Sequence, residues 1–338
     1  MRFTTGLLVL LLLSVSAVAQ EPPPVAPVET PPPFDQWLKE LRREAVARGI
    51  RPKTIGAALD GLEPVERILE RDRTQAEFVL DLDAYLARRL TRATVRTAAR
   101  LHGEHRSLLA AVGRKYGVQP RIVTAIWGLE SNFGRFAGVR PTIPTLATLA
   151  YDPRRSTLFR RELFSALEIL DRGDIEPERL KGSWAGALGQ PQFMPSSYLK
   201  YAQDFDGDGR RDIWSSRADV FASIAYYLQQ HGWTEGERWG REVRVPRAAR
   251  EEIAALPRRT EGCRAVRTMT VPMDLREWSA LGLRTASGAA LPRAEMSASL
   301  IAAGTRYYLV YRNYEALLQY NCSHSYALSI ALLADRIP

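Results

Sequence analysis

The stretch PRIVTAIWGLESNFG, residues 120–134, decides how this 338-residue chain folds. Pro120 suits the first turn of a helix, because that position needs no backbone N–H. Apolar side chains then recur every three or four residues, at Ile122, Ile126, Leu129 and Phe133. Gly134 supplies a stop signal. The pattern predicts a helix with a buried apolar stripe, and it places Glu130 one step from that stripe, near the carboxyl end of the helix.

Glu130 is the first candidate for chemistry, because its carboxyl group borders an aromatic and aliphatic surface. Burial penalises the charged form of a carboxyl group, so such an acid can stay protonated at neutral pH and donate to a glycosidic oxygen. A solvated glutamate at the edge of a helix would fit the same residue. The helix alone therefore leaves both interpretations open.

The amino-terminal residues 1–20 have the features of a signal peptide. A charge at Arg2 precedes the apolar run 7–13, and small residues follow at 17–19. The run is shorter than the roughly 20 residues that a membrane-spanning helix needs, which disfavours the alternative of a membrane anchor. No cysteine lies directly after the small residues, so we expect no lipid anchor. Residues 21–33 are rich in proline and predict an extended linker. We expect an exported, periplasmic protein.

The charge of the chain also bears on its partners. The formal net charge is +9 and is not concentrated in one dense Lys/Arg run. A positive charge favours acidic partners. For an exported protein, an anionic polymer outside the cytoplasm fits better than nucleic acid, so we expect no nucleic-acid partner. A solvated basic surface without a dedicated partner is the alternative.

The chain has two cysteines, Cys263 and Cys322, which excludes a disulfide-dense scaffold. Export would permit one bridge between them. Two separate buried thiols fit the sequence equally well.

The first half of the chain predicts helices. Residues 34–115 are rich in Ala, Leu, Arg and Glu, and they predict a helical lobe. Near-helical spacing within it is seen at Leu80, Leu82, Tyr85 and Leu86. Further helices are expected over 158–170 and from Asp219, a candidate N-cap, to His231. Residues 181–197 between them predict loops around short helices.

The second half begins differently, because short apolar or alternating runs separated by Pro and Gly follow Trp239. Such runs are typical of strands. They lie at 243–245, 269–271, 300–302 and 307–311. The economical interpretation is a small β-rich insertion over 239–312. A last helix is expected from Ser323, the candidate cap, to the end of the chain.

Two further segments carry polar groups beside aromatic residues. The first, GSWAGALGQPQFMPSSY (182–198), combines small residues with Ser183, Gln190 and Gln192, whose neutral groups suit sugar hydroxyls and N-acetyl groups. The second, YNCSHSY (320–326), places an amide and two phenols at a helix start. A tight turn and a capped helix with core tyrosines would explain these segments without function.

Together and in this order, the segments resemble the lytic murein transglycosylase B family. The family pattern appears as Glu-Ser-Asn-Phe-Gly at 130–134, the loop 182–197, the Asp-Gly-Asp-Gly turn at 206–209 and Tyr-Asn-x-Ser-x-x-Tyr at 320–326. The similarity extends from Phe34 to Ile337.

The resemblance implies a mainly α fold with a small β-rich insertion. It would comprise a lysozyme-like catalytic core (116–238 and 313–338), the helical lobe (34–115) and the β-rich lobe (239–312). The implied activity is non-hydrolytic cleavage of the bond between N-acetylmuramic acid and N-acetylglucosamine in peptidoglycan, with formation of 1,6-anhydromuramic acid and without a required cofactor. Glu130 would be the sole catalytic residue. Residues implied to bind the glycan are Ser183, Gln192, Phe193, Met194, Tyr227, Tyr320, Asn321 and Tyr326.

The resemblance also bears on the acidic turn DFDGDG at 204–209, which matches the first half of an EF-hand loop. The match then fails, because Ser215 stands where the bidentate acid belongs. Family members with a metal in this loop use a distant aspartate instead. The implied structural calcium ligands are Asp204, Asp206, Asp208, the Arg210 carbonyl and Asp219. A metal-free turn is the alternative.

Two rival functions fit the same sequence. A lysozyme-type hydrolase would use the same groove but let water complete the reaction, and a non-catalytic peptidoglycan-binding protein would not need Glu130 at all. We expect a monomer that binds glycan strands, with cell-wall protein complexes as further candidate partners.

Overall fold

The computed structural model of the protein describes residues 32–68 and 81–338. The predicted signal peptide, residues 21–31 of the predicted linker and Leu80 lie outside the described residues. No helix in the described part of the chain combines the length and the apolar character that crossing a membrane requires.

Short helices form the first part of the chain. They are α1 (Phe34–Ala47), α2 (Pro52–Leu59), α3 (Leu82–Arg89), α4 (Arg92–Glu104) and α5 (Arg106–Tyr116). Asp81 caps α3 and Thr91 caps α4, because in each case a side-chain oxygen accepts the amide N–H three residues further on. Gly117, with a φ of 70°, ends α5 in the left-handed region.

Five helices and two short strands form the central part of the chain. They are α6 (Pro120–Ser131), α7 (Thr142–Tyr151), α8 (Ser156–Arg172), α9 (Pro195–Tyr201) and α10 (Arg217–Gln230), and the short strands β1 (Arg140–Pro141) and β2 (Lys181–Gly182) pair antiparallel between them. Helix α6 is buried at every residue from Ile122 to Leu129. A helix that is apolar on all sides must pack on all sides, and α6 contacts α4, α5 and α10.

The N-cap of α10 is Ser216 and not, as the sequence had predicted, Asp219. The Ser216 hydroxyl oxygen accepts the Asp219 amide N–H at 3.3 Å. Asp219 is instead fully buried, and its carboxylate accepts the amides of Phe205 and Asp212 at 2.8 Å each. Serine caps a helix about as well as aspartate does, so the buried hydrogen bonds decide which residue takes the position.

A five-stranded antiparallel sheet follows the central helices. Its strands are β3 (Gly240–Arg244), β4 (Met273–Asp274), β5 (Arg284–Thr285), β6 (Ser297–Ala303) and β7 (Arg306–Val310), in the spatial order β4-β6-β7-β3-β5. Three short helices lie beside it: α11 (Arg250–Ala255), α12 (Arg264–Thr268) and α13 (Leu275–Ala280). Gly304, with a φ of 62°, lies in the two-residue turn between β6 and β7.

The sheet separates two apolar cores. Along β7 and its next residue, Tyr308 and Val310 pack into the large helical core, whereas Leu309 and Tyr311 pack into a small core around Trp278. Side chains of a strand alternate between the two faces of a sheet. One face of the insertion therefore closes the helical core, and the predicted mixture of helices with a small sheet is confirmed.

One predicted strand is wrong. Residues 269–271 form no strand, and Thr270 makes only an isolated bridge with Arg258. The strand starts after Pro272, at Met273. A proline has no N–H for a ladder, and Thr270 bonds β6 through its hydroxyl oxygen, which accepts the Leu300 amide at 2.8 Å.

The chain returns to the helical core in α14 (Arg312–Tyr320) and α15 (His324–Ala334). Ser323 caps α15 by accepting the Tyr326 amide, as predicted. Between the two helices, Cys322 forms a disulfide with Cys263, 59 residues earlier. This disulfide settles the alternative left open by the sequence. It fastens the turn between α14 and α15 to the residue before α12.

Removing this disulfide will lower stability. Closing a loop of this length restricts the unfolded chain by up to about 4 kcal/mol, so we expect Cys263→Ser/Cys322→Ser to lose about 2–4 kcal/mol in urea unfolding. The wild-type protein treated with a thiol reductant should lose the same amount. Equal urea midpoints for the oxidised and reduced proteins would show that the crosslink contributes nothing.

Candidate active site

Glu130 lies in the last turn of α6, where the chain reverses sharply. Asn132 and Phe133 have φ values of 49° and 59°, in the left-handed region. Phe133 folds back over Gly128, where an added Cβ would come within 2.5 Å of the ring. Only glycine permits that approach. The reversal leaves the Glu130 carboxyl group at the end of a buried helix.

Tyr326 supplies the direct partner of Glu130. Its hydroxyl donates to Glu130 Oε1 at 2.5 Å. The ring of Tyr320 is nearly parallel to that of Tyr326, with 6.3 Å between centroids, and the Tyr320 hydroxyl donates to the Pro191 carbonyl at 2.7 Å. The three segments that the sequence singled out therefore meet at one place.

Burial raises the pKa of Glu130 to about 7. The hydrogen bond from Tyr326 and the positive charge of Arg89 act in the opposite direction and lower this pKa. Since the resulting pKa lies near neutrality, both the acid and the carboxylate are populated there. A group in this condition can give a proton and take one back.

Aromatic rings form a wall beside this carboxyl group. Phe193 is buried, and its ring centroid lies 5.5 Å from that of Tyr227 and 5.8 Å from that of Tyr320. The Tyr227 hydroxyl donates to the Gln319 carbonyl at 2.7 Å. Burial raises the pKa of both Tyr227 and Tyr320 above the ordinary value, so both phenols stay neutral. The wall is therefore uncharged.

The loop 182–194 is held by its own polar groups. The Ser183 hydroxyl oxygen accepts the amides of Ala185 and Ala187 at 3.3 and 3.1 Å. Gln192, with a φ of 54°, donates from Nε2 to the Gly189 carbonyl at 2.8 Å. Isolated bridges join Gly182 to Leu188 and Leu188 to Phe193 within the predicted loop. The first helix in this fully described segment begins at Pro195.

The remaining predicted residues lie around this loop. Met194 is the half-buried N-cap of α9, and Asn321 is exposed at the end of α14. Within the described part of the chain, no hydrogen bond joins Glu130 to Ser183, Gln192 or Asn321. The structure therefore brings Glu130, Tyr326 and the aromatic wall together, and it leaves the polar loop residues engaged with their own backbone or exposed.

Gln190 has a different role from the one its neutral amide suggested. It is buried, and its Oε1 accepts Trp127 Nε1 and Arg217 Nη1 at 2.7 Å each. Its Nε2 donates to the Trp214 carbonyl at 2.6 Å. Because Gln190 is buried and its amide bonds Trp127, Arg217 and Trp214, it ties the loop to α6 and α10 and is not placed to bind a sugar.

Sequence reasoning missed Arg89. Its Nη2 donates to the Leu129 carbonyl at 2.7 Å, from a helix 40 residues earlier in the chain. Nothing in the surrounding sequence sets Arg89 apart from Arg88 beside it. The signal is purely tertiary.

The acidic turn gathers part of the predicted ligand set. Carboxylate oxygens of Asp204, Asp206 and Asp219 lie within 4.8 Å of one another. Asp208 is not part of this group, and its carboxylate accepts the Arg210 amide at 2.8 Å. Burial, together with the nearby charges of Asp206 and Asp204, raises the pKa of Asp219 to about 6. Clustered carboxylate oxygens are a donor set that suits a hard cation.

The fold and the Glu130 carboxyl group beside its aromatic wall define a class of protein, the lytic transglycosylases. The family model described as "Transglycosylase SLT domain" matches residues 33–335, and the chain belongs to that family. Within the class, its relatives are lytic murein transglycosylases of the B type, as the resemblance implied.

Three relatives illustrate the match. Membrane-bound lytic murein transglycosylase B of Escherichia coli (strain K12) is 44% identical over 124 residues, which are 36% of this chain and 34% of that protein. The chain thus matches about a third of the length of this curated relative. The Pseudomonas aeruginosa SltB3 structure with NAG-anhNAM-pentapeptide is 39% identical, with a TM-score of 0.82 over 89% of this chain and 78% of that chain. The Escherichia coli Slt35 structure with calcium is 26% identical, with a TM-score of 0.73 over 92% and 94%.

These neighbours have a lysozyme-like fold, so the predicted fold class is confirmed.

Replacing Tyr326 by Phe will raise the pKa of Glu130. The carboxylate loses its hydrogen-bond donor, and a bond to a charged group contributes about 1.5–3 kcal/mol, equivalent to roughly one to two pH units. Carbon-13 NMR titration of the Glu130 carboxyl group measures the shift. Tyr320→Phe is the matched control, because its hydroxyl donates to Pro191 and not to Glu130. Equal shifts in the two variants would contradict this assignment.

Proposed function

We propose that the chain cleaves peptidoglycan glycan strands at the β-1,4 bond between N-acetylmuramic acid and N-acetylglucosamine and forms 1,6-anhydromuramic acid. The observation that carries the proposal is one carboxyl group, that of Glu130, which accepts the Tyr326 hydroxyl at 2.5 Å and whose pKa burial raises to about 7. In the described part of the chain, its polar neighbours are a tyrosine hydroxyl and the charge of Arg89, and neither is a second carboxyl group. Ordinary glycosidases need two carboxyl groups.

Solved relatives support the choice of substrate. SltB3 was crystallised with NAG-NAM-pentapeptide and with NAG-anhNAM-pentapeptide. The second ligand contains the anhydro sugar that the proposed reaction would release. At 39% identity, the same substrate class is the natural proposal for this chain.

The proposed reaction uses one carboxyl group twice, first to give a proton and then to take a different one. Protonated Glu130 gives its proton to the glycosidic oxygen, and the electron pair of the breaking C1–O bond stays with that oxygen. The N-acetyl group of the substrate stabilises the oxocarbenium-like centre. The Glu130 carboxylate then takes the proton of the C6 hydroxyl of the same muramic acid, and O6 bonds to C1. Glu130 ends protonated, and no water is consumed.

The glycan would lie against the aromatic wall and the loop. The residues proposed to bind it are Ser183, Gln192, Phe193, Met194, Tyr227, Tyr320, Asn321 and Tyr326. Flat aromatic surface supplies contact area for sugar rings, while hydroxyl and amide groups fix their orientation. Ser183 or Asn321 would orient the N-acetyl group or the C6 hydroxyl.

The division into a helical lobe (34–115), a catalytic core (116–238 and 313–338) and a β-rich lobe (239–312) is part of the same proposal. So are the periplasmic location, the monomeric state and the capacity for complexes with other cell-wall proteins. The separate apolar core around Trp278 supports the β-rich lobe.

Product analysis tests the proposal. Purified sacculi digested by the protein should yield anhydromuramic ends in mass spectrometry, whereas reducing ends would favour a lysozyme-type hydrolase. Glu130→Gln should lower the rate by about 10²–10⁴-fold, since it removes the carboxyl proton that the leaving oxygen needs. A folded Glu130→Gln protein that cleaves at the wild-type rate would overturn the assignment and leave Glu130 as a binding residue.

A structural calcium ion belongs to the proposal as well. Asp204, Asp206 and Asp219 would hold it through carboxylate oxygens, with Asp208 and the Arg210 carbonyl as further ligands. The solved Slt35 relative contains calcium. Such an ion would link the acidic turn to the start of α10.

Millimolar CaCl2 will therefore raise the melting temperature by about 2–4 °C, because a ligand that binds only the folded state stabilises it. Asp206→Asn should abolish most of that increase, and MgCl2 at equal ionic strength is the control. Identical melting curves in calcium and magnesium would exclude a calcium-specific site.

A further inference from the structure

The packing of the fold does not by itself explain why an arginine stands at position 89. It is the last residue of α3, and Nη2 donates to the Leu129 carbonyl at 2.7 Å. Its Nε is buried and has no hydrogen-bond partner among the described residues. Leaving a buried donor unpaired is costly, so each such group calls for an explanation. A residue that only fastened α3 to α6 would not need a guanidinium group with a buried, unpaired Nε.

The place where Arg89 binds is the end of the Glu130 helix. The Leu129 carbonyl belongs to the last turn of α6, where helix carbonyls lack partners and carry the negative end of the helix dipole. That field opposes a negative charge on Glu130, the next residue. A guanidinium on this carbonyl supplies the compensating positive charge.

The other groups around Glu130 do not supply this compensating positive charge. Tyr326 and Tyr320 face the carboxyl group from α15 and α14, and burial keeps both neutral by raising each pKa. Earlier along α6, His102 contacts Thr124, and Arg217 lies over the Trp127 ring. Among the described residues, Arg89 is the cation whose charge acts on both Glu130 and Tyr326.

We propose that Arg89 is a positioning residue of the reaction. It holds the carboxyl end of α6 through the Leu129 carbonyl, and it stabilises the Glu130 carboxylate that exists between the proton donation and the proton removal. The inference rests on the proposed function.

The test compares Arg89→Met, Arg89→Lys and Arg88→Met. Methionine removes the charge and keeps an apolar stem, lysine keeps the charge without the guanidinium fork, and Arg88 is the exposed neighbour on the same helix. Removing the charge destabilises the carboxylate, so the acid form persists to higher pH. In Arg89→Met, the alkaline limb of the kcat/KM profile should move up by roughly one pH unit, and kcat should fall about tenfold. Arg89→Lys should return the alkaline limb to its wild-type position, and the profile of Arg88→Met should match that of wild type.

A lower rate with an unmoved alkaline limb in Arg89→Met would overturn the proposal and leave Arg89 a purely structural residue. Carbon-13 titration of the Glu130 carboxyl group in the same variants gives a reading that needs no turnover. An upward shift in Arg89→Met that Arg89→Lys reverses supports the proposal, and the same pKa in all variants overturns it.

If wild type releases no anhydro ends, the proposed function fails, while the titration still reports on Arg89. Should Arg89→Met not fold, an Arg89→Lys titration that departs from wild type by more than a unit overturns the role of charge.

Discussion

The hydrogen bond from Tyr326 to Glu130 is the interaction on which the site depends. It joins two residues that are 196 positions apart, one at the end of α6 and the other in the first turn of the last helix. Between these two residues the chain forms the central helices, the sheet and the disulfide-fastened turn, and it then returns to α6. The β-rich insertion lies between the catalytic helix and its partner in sequence, yet one face of its sheet completes the helical core. The site is therefore a property of the whole fold and not of any one segment.

Holding a carboxyl group at this position costs stability. The pKa of Glu130 is raised from 4.5 to about 7, so the folded state binds its proton more tightly than the unfolded state does. A raised pKa contributes stability that is fully present below the unfolded value and is lost as pH rises through the folded value. Across the window from about 4.5 to 7 the change is of order 3 kcal/mol. The surrounding packing must offset it, and the buried rings of Trp127 and Phe221, 5.1 Å apart, are part of that packing.

Local signals in the sequence were read correctly where local chemistry decides. The helix start at Pro120 and the Ser323 cap depend on residues within a few positions of one another. The stop predicted at Gly134 came too late, because the helix ends at Ser131 and Asn132 already takes the left-handed conformation. The predicted Asp219 cap and the predicted strand at 269–271 were wrong because partners distant in sequence decide both. The Asp219 carboxylate accepts the buried amides of Phe205 and Asp212. Thr270 bonds β6 through its hydroxyl oxygen, and Pro272 follows it without an N–H for a ladder. The three motif segments predicted the neighbourhood of Glu130, Tyr320 and Tyr326, whose meeting the structure shows. Arg89 could not be found, since an arginine on a helix surface looks the same whether it faces solvent or a carbonyl 40 residues away.

A single carboxyl group that must act first as acid and then as base sets a narrow requirement on its surroundings. If burial and the helix end acted alone, the pKa of Glu130 would be so high that the carboxylate formed after proton donation would be unstable. If donors and cations prevailed, it would be ionised before the substrate arrived. Tyr326 and Arg89 oppose burial from two separate helices, and the pKa near 7 is the balance of these contributions. Because each contribution comes from a different part of the chain, the balance exists only when α3, α6 and α15 are packed together.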